Sequence, residues 1–201
     1  MKYPKTMDTF QTKLFTSQDI DEKVLIYNIR IVPPEPIYSQ VLNYKTEFIA
    51  TYGEHLLSKS KPHITIAKFI MSSLHQNFLV EHFESLVSTE KFNLQINGFG
   101  IFESSGTLVL QINKSAELDI LLKNISDLKR ALLLHKAKNF GLIYTPHLTI
   151  SSFLDSKTLH SSLSHFKNIA YSKKPFEVDH LMITSRENGK TWDWEHQINF
   201  T

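Results

Sequence analysis

The feature that most constrains this chain of 201 residues is an internal repeat of eight residues. Pro62–Phe69 (PHITIAKF) and Pro146–Phe153 (PHLTISSF) are identical at five of eight positions. The repeat offset is the number of residues along the chain from His63 to His147. Each copy begins with proline, which suits the first residue of a strand because proline has no N–H for the ladder. The repeat predicts two related halves, each with a strand that starts at a His-x-Thr triplet.

The alternation of side chains along a strand places the histidine and the threonine of each copy on one face. In the first copy, this face is predicted to include Phe69 as well, while the two isoleucines point toward packed helices. The second copy has the same pattern. If a pseudo-twofold axis relates the halves, the two faces meet across a cleft that contains four polar side chains: His63, Thr65, His147 and Thr149.

Two imidazoles and two hydroxyls in one cleft suit the cleavage of a phosphodiester. A neutral imidazole takes a proton from the attacking water or hydroxyl, and a protonated imidazole gives one to the leaving oxygen. Both states are accessible because an unperturbed histidine titrates near about 6.5. The threonine hydroxyls can donate to the non-bridging phosphate oxygens, where charge must be stabilised. Either histidine can fill either role.

The duplicated H-x-T motif resembles the 2H phosphoesterase superfamily, which includes 2′-5′ RNA ligase-like proteins and cyclic nucleotide phosphodiesterases. The resemblance runs from Lys23 to the end of the chain. It implies a metal-independent phosphodiesterase for RNA 2′,3′-cyclic phosphates or related cyclic or 2′-5′-linked nucleotides, with RNA ends or small nucleotides as partners. The carried-over residues are catalytic His63 and His147 and phosphate-binding Thr65 and Thr149. The chain has Ser151 and Ser152 where many ligase-like members have a basic residue, so the resemblance does not single out the ligase branch.

The pattern of periodicity predicts an α+β fold with one domain, residues 23–201, after an N-terminal lead-in of residues 1–22. There is no clean βαβ alternation and no glycine-rich phosphate loop, so we expect two pseudo-symmetric antiparallel-sheet lobes with outer helices around a central cleft. The predicted strands are 23–32, 63–70, 92–102, 107–113, 147–153, 176–184 and 191–200. The predicted helices are 37–57, 78–87, 116–138 and 156–169.

Composition excludes several classes of function. The chain has no cysteine, which excludes disulfides, thiolate nucleophiles and cysteine metal sites. The histidine spacings match no zinc motif, so we expect no metal and no cofactor. The net charge of +2 is too small to indicate duplex nucleic-acid binding. No apolar run and no leader pattern indicates a membrane or an export route, so the expected location is the cytoplasm.

Several residues near the motifs have two interpretations. Phe69 and Phe153 either stack on a base or belong to the core, and Tyr144 either lines the cleft entrance or is ordinary surface. Trp192 and Trp194 alternate near the end of the chain, which fits a base-stacking wall or packing against the sheet.

The strand alternation also predicts that Lys68 faces away from His63. For the whole chain, the alternative function is an RNA-end or nucleotide-binding module that keeps the 2H site without physiological turnover.

Overall fold

The computed structural model describes residues 22–201, so the predicted lead-in lies outside the described residues apart from Glu22. The described part of the chain contains ten strands and four α-helices. In chain order they are β1 (Val24–Ile31), α1 (Ile37–Tyr52), β2 (Ile64–Ser72), α2 (Gln76–Glu84), β3 (Phe92–Leu94), β4 (Ile96–Phe102), β5 (Thr107–Ile112), α3 (Ala116–Leu134), β6 (Lys138–Leu142), β7 (His147–Ser151), α4 (Ser156–Phe166), β8 (Phe176–Val178), β9 (His180–Glu187) and β10 (Trp194–Asn199).

The sheet is antiparallel at every pairing and confirms the predicted α+β class. Eight strands form one sheet in the order β10-β9-β1-β2-β7-β5-β4, with β6 also paired to β2, and β3 pairs with β8 separately. The two lobes meet where β2 and β7 pair through a single position, Ile64 opposite Leu148. Helices α1 and α4 pack on the β7 side of this junction, and α2 and α3 pack on the strands of the other side. The two repeat strands therefore lie side by side at the centre of the molecule.

The repeat offset relates structural features well beyond the octet. Ile64 pairs with Leu148, and Asn93 of β3 pairs with Glu177 of β8, so positions separated by this offset contact each other in both ladders. A two-fold axis through both pairs explains this, because such an axis brings equivalent residues together where it crosses the chain. The pseudo-symmetry predicted from the octets is present in the strand pairing.

The two halves of the chain exchange a strand. In the first half, β1 pairs with β2, but its other neighbour is β9 from the second half. In the second half, β5 pairs with β7, and its other neighbour is β4 from the first half. Each lobe is thus built from both halves of the sequence.

Helix α1 forms because its apolar residues recur on one face, but it is shorter than predicted. Ile37, Val41 and Phe48 are buried along that face. The helix ends at Gly53, whose φ of 84° lies in the left-handed region that favours glycine. The following segment leaves the helix, and Leu56 forms an isolated bridge to Ser152, next to β7.

Helix α3 is also shorter than predicted, because it ends at Leu134 and the chain turns into β6. Ser115 caps its first turn by accepting a hydrogen bond from the Leu118 N–H at 3.2 Å. Strand β6 (KNFGL) was not predicted from the sequence; it contains a glycine and lies half-exposed at the sheet. No helix in residues 22–201 has both the length and the apolar character needed to cross a bilayer.

Candidate active site

The central strand pair brings the four motif side chains onto one face of the sheet. Ile64 and Leu148 are opposite each other and fully buried. Because the strands are antiparallel, His63 lies beside Thr149, and Thr65 lies beside His147, on the face away from those two residues. Diagonal neighbours in such a ladder are about 7–8 Å apart. His63 and His147 are therefore diagonal neighbours on this strand pair.

Both imidazoles are held by the same backbone contact. His63 Nδ1 lies 2.8 Å from the Lys61 carbonyl oxygen, and His147 Nδ1 lies 2.7 Å from the Thr145 carbonyl oxygen. A carbonyl oxygen only accepts hydrogen bonds, so Nδ1 must carry a proton and donate it. The remaining ring nitrogen, Nε2, is left to accept a proton in the neutral ring or to donate one in the charged ring. The contact is equivalent in the two halves, so both rings have the same tautomer when neutral.

The surroundings of the rings disfavour the imidazolium form. Burial, together with the cations Arg30, Lys68 and Lys45, lowers the pKa of His63 to about 4, although the Lys61 carbonyl opposes this change. Burial and Lys68 also lower the pKa of His147. Both rings are therefore neutral in the free protein at neutral pH. A bound phosphate anion would raise both pKa values because it stabilises the charged form.

Matched β-bulges reshape the two repeat strands. In β2 the register shifts between the pairs Ile29–Ala67 and Arg30–Thr65, so Ile66 is the extra residue. In β7 the register shifts between the pairs with Ser151 and Thr149, so Ile150, the repeat equivalent of Ile66, is the extra residue. A bulge reverses the alternation that follows it. Residues beyond each bulge therefore occupy the opposite face from the one that simple alternation predicts.

The bulge corrects the prediction for Lys68. Lys68 pairs with Asn28 on the same face as Thr65, and its charge acts on both His63 and His147. Its own pKa is lowered by burial and by Arg186. The lysine that alternation placed on the far side of the strand is instead the cation shared by both histidines.

The same bulge places Phe69 in the core. Phe69 is 1% exposed and stacks on Tyr27 and Phe140, with ring centroids 5.2 and 5.7 Å apart. Phe69 therefore belongs to the core, and a base cannot stack on it. Phe153, its equivalent, is 73% exposed and lies past the end of β7. Tyr144 is exposed beside α3, where it lines a shallow depression with Asp119 and neighbouring helix residues. The structure does not bring these three aromatic residues together with the histidines.

The ring that does contact a motif histidine is Phe102, at the end of β4. Its centroid lies 4.8 Å from that of His147, edge to face. Phe102 was not predicted from the sequence. The repeat offset carries Phe102 onto Arg186, but that Arg186 lines a cavity next to His63 is known only from the structure.

A buried lysine connects the two motifs. Lys45 of α1 is 2% exposed, and its Nζ donates to the Leu57 carbonyl at 2.8 Å, the Ser60 hydroxyl at 3.2 Å and the Ile150 carbonyl at 3.2 Å. The first two acceptors lie in the segment that leads to His63, and the third belongs to the bulge of β7. Within residues 22–201, no carboxylate pairs with this ammonium group, and burial lowers its pKa to about 8.

A cavity of about 760 Å³ opens beside His63, between the segment 54–61 and the turn that joins β9 to β10. Trp192 lines it, whereas Trp194 packs edge-on against Tyr27, 6.5 Å between ring centroids, on the core face. Trp192 precedes β10, so the predicted alternation does not extend to it. In the part of the chain that the structure describes, no group of three or more His, Cys, Asp or Glu side chains is arranged to hold a metal ion.

Comparison with known proteins identifies a family whose model matches this sequence. Residues 33–190 match the family model of the 2′-5′ RNA ligase superfamily. The fold is similar to TT0787 of Thermus thermophilus, with a TM-score of 0.60, 12% identity, and coverage of 87% of this chain and 97% of that one.

It is also similar to E. coli LigT in apo form, with a TM-score of 0.57, 13% identity, and coverage of 88% and 99%. LigT complexed with 3′-AMP gives a TM-score of 0.55, 14% identity, and coverage of 89% and 99%. A search of curated proteins finds no match. These similarities support the shared fold, and the family model covers most of the described residues.

Proposed function

The chain belongs to the 2′-5′ RNA ligase superfamily, and on that premise we propose that it is a phosphodiesterase for RNA 2′,3′-cyclic phosphates or related cyclic or 2′-5′-linked nucleotides. The observation that carries the proposal is the matched pair of imidazoles. Nδ1 of each ring is hydrogen-bonded to a backbone carbonyl, and the two histidines lie at the starts of the paired antiparallel strands β2 and β7. That E. coli LigT has been crystallised with 3′-AMP supports a nucleotide as ligand.

In the proposed reaction, one neutral imidazole accepts a proton from water through Nε2 as the water oxygen bonds to phosphorus. The bond from phosphorus to one ribose oxygen breaks, and the second imidazole, protonated, donates to that leaving oxygen. Thr65 and Thr149 donate to the non-bridging oxygens, and Lys68 supplies positive charge to the same centre. Every proton is accounted for by the two histidines, so the chemistry needs no metal.

The charge distribution favours one assignment of roles. Arg30 and Lys45 act on His63, whereas Lys68 acts on both rings. More cations stabilise the neutral form of His63, which fits the general base in hydrolysis, and His147 then fits the general acid. The roles reverse when the reaction runs backward.

Mutation of each histidine tests the proposal. His63→Ala and His147→Ala should each lower kcat by about 10²–10⁴-fold, the usual contribution of a general acid or base. The assay follows ring opening of nucleoside 2′,3′-cyclic phosphates and cleavage of 2′-5′-linked dinucleotides by chromatography, in EDTA. His160→Ala on α4, where the side chain is exposed, is the matched control and should keep the wild-type rate. A near-wild-type rate in either motif variant, with the fold intact by circular dichroism, contradicts the acid–base proposal.

The same assay separates the alternative, a binding module without turnover. Tight binding of nucleotides with no product from any substrate would favour the module. Activity that EDTA abolishes and added divalent metal restores would instead indicate metal-dependent hydrolysis.

A further inference from the structure

The cavity beside His63 extends away from the reaction centre. His63 lines it, but the lining does not include His147 or either motif threonine. Its volume of about 760 Å³ lies within the roughly 300–1,000 Å³ range of small-molecule sites. It therefore has room for a part of a ligand that lies beyond the reacting phosphate.

The cavity has an excess of positive charge. Its lining contains five basic and two acidic residues: Arg30, Lys59, Lys61, Arg186, Lys190, Glu54 and Glu195. Glu195 pairs with Arg30 at 3.1 Å, and Glu54 pairs with Lys59. Of the other three cations, none lies within 4.0 Å of a carboxylate oxygen in the described part of the chain. The cavity wall formed by these residues therefore has a net positive charge, which attracts an anion.

Two guanidinium groups of this wall hold unused donors. Arg30 Nε and Arg186 Nε are buried, and neither has a hydrogen-bond partner among the described residues. A buried donor without a partner is unfavourable, so such groups are rare in native proteins. Arg186 Nη1 donates to the Lys190 carbonyl at 3.0 Å, which fixes the orientation of that guanidinium group.

Trp192 stabilises both arginines. The Cζ atoms of Arg30 and Arg186 lie 5.7 and 4.7 Å from the centroid of its ring. These cation–π contacts position the two planar groups without using their N–H donors. The equivalent of Arg186 in the other lobe is Phe102, which contacts His147, so the second lobe has no matching cation at that position. Among the described residues, the arginine at this position is thus on the His63 side and has no counterpart on the His147 side.

We propose that this cavity binds a second phosphate group of the substrate, so that the protein prefers nucleotides with a phosphate beyond the one that reacts. Guanidinium N–H groups and lysine ammonium groups are the usual protein donors to phosphate oxygens. The proposal rests on the proposed function, because the first phosphate is the one held between the two histidines. The substrate then binds in one orientation, with its additional phosphate on the side of His63.

Calorimetric titration with two probes tests this at fixed ionic strength. Adenosine 3′,5′-bisphosphate should bind the full chain at least tenfold more tightly than 3′-AMP. Arg186→Gln should lower this ratio of affinities to about one. Lys190→Gln, at an exposed position of the same wall, should lower the ratio of affinities in part. It replaces Arg186→Gln as the test if that variant is unstable. Arg130→Gln is the matched control, since Arg130 is exposed on α3, outside the cavity lining, and should keep the wild-type ratio.

Equal affinities for the two probes, or a ratio that both cavity variants preserve, would overturn the subsite. The readout is binding, so it does not depend on turnover. If adenosine 2′,3′-cyclic phosphate is cleaved while the ratio is one, the subsite is wrong and the phosphodiesterase stands. If the ratio depends on Arg186 and no substrate is cleaved, the subsite stands and the phosphodiesterase proposal fails.

Discussion

Replacing Lys45 with methionine should change the stability of the protein in opposite directions at neutral and alkaline pH. Methionine keeps the linear apolar stem inside the core and removes the ammonium group. Two effects of known size then compete: relief from burying a charge, and loss of the donor to the Ile150 carbonyl.

The magnitudes follow from the contacts. Burial lowers the pKa of Lys45 from 10.5 to about 8, and at 1.36 kcal/mol per pKa unit the buried charge costs about 3 kcal/mol at pH 7. The Leu57 carbonyl keeps its bonds from the Ser60 N–H and hydroxyl at 3.0 and 2.8 Å. The Ile150 carbonyl loses the donor Lys45 Nζ, at a cost of about 1–3 kcal/mol. Lys45→Met should therefore be at least as stable as the wild type at pH 7, by up to about 2 kcal/mol.

The sign of the pH dependence is fixed by linkage. The folded pKa lies below the unfolded value, so at Lys45 the unfolded chain binds more protons between about pH 8 and 10.5, and the contribution of Lys45 to stability rises with pH in that window. The methionine variant lacks this rise. It should be less stable than the wild type by about 1–3 kcal/mol at pH 10, where most of the charge penalty has disappeared.

Guanidinium chloride unfolding at pH 7 and pH 10 measures the difference. Lys129→Met is the matched control, because Lys129 is the repeat equivalent of Lys45 and is exposed on α3. Its stability relative to the wild type should not vary with pH. The prediction is refuted if the difference in stability between wild type and Lys45→Met is the same at both pH values, or if the variant is clearly less stable than the wild type at pH 7.

Two further predictions concern the cations around the histidines. Lys68→Met should lower kcat/KM for cyclic phosphates by about tenfold or more, since a charged contact to phosphate is worth about 1.5–3 kcal/mol, whereas the exposed Lys157→Met should leave it unchanged. The acid limb of the kcat/KM profile should lie well below pH 6, because burial and the neighbouring cations lower the pKa of His63 to about 4. Lys68→Met should move that limb to higher pH, because one of these cations is removed. An acid limb at the same pH in the variant would contradict the role of Lys68 as a cation shared by both histidines.

The octets located the two central strands correctly because their pattern is strong in the sequence. A proline, a branched apolar stretch and a period of two are local features, and they place His63 and His147 at strand starts whatever the rest of the chain does. The burial of Ile64 and Leu148 is as expected from that pattern.

What the octets did not reveal are the bulges. Neither Ile66 nor Ile150 is a glycine, and nothing in the local sequence marks an extra residue there. The bulge follows from how each strand pairs with a partner far along the chain, so its consequences for Lys68 and Phe69 required tertiary structure. Arg30 approaches the site through such pairing, because it lies opposite Thr65 on the neighbouring strand.

The strand exchange between the halves has a consequence for how such a protein can vary. A polypeptide of half this length could form the same central strand pairings only as a dimer, because β4 and β9 each pair with a strand of the other half. In that dimer, both lobes would have the same residues. In a single chain the two lobes can differ in sequence, so one position can hold an arginine in one lobe and a phenylalanine in the other. Directional recognition of an asymmetric nucleotide becomes available to a molecule whose backbone is nearly two-fold.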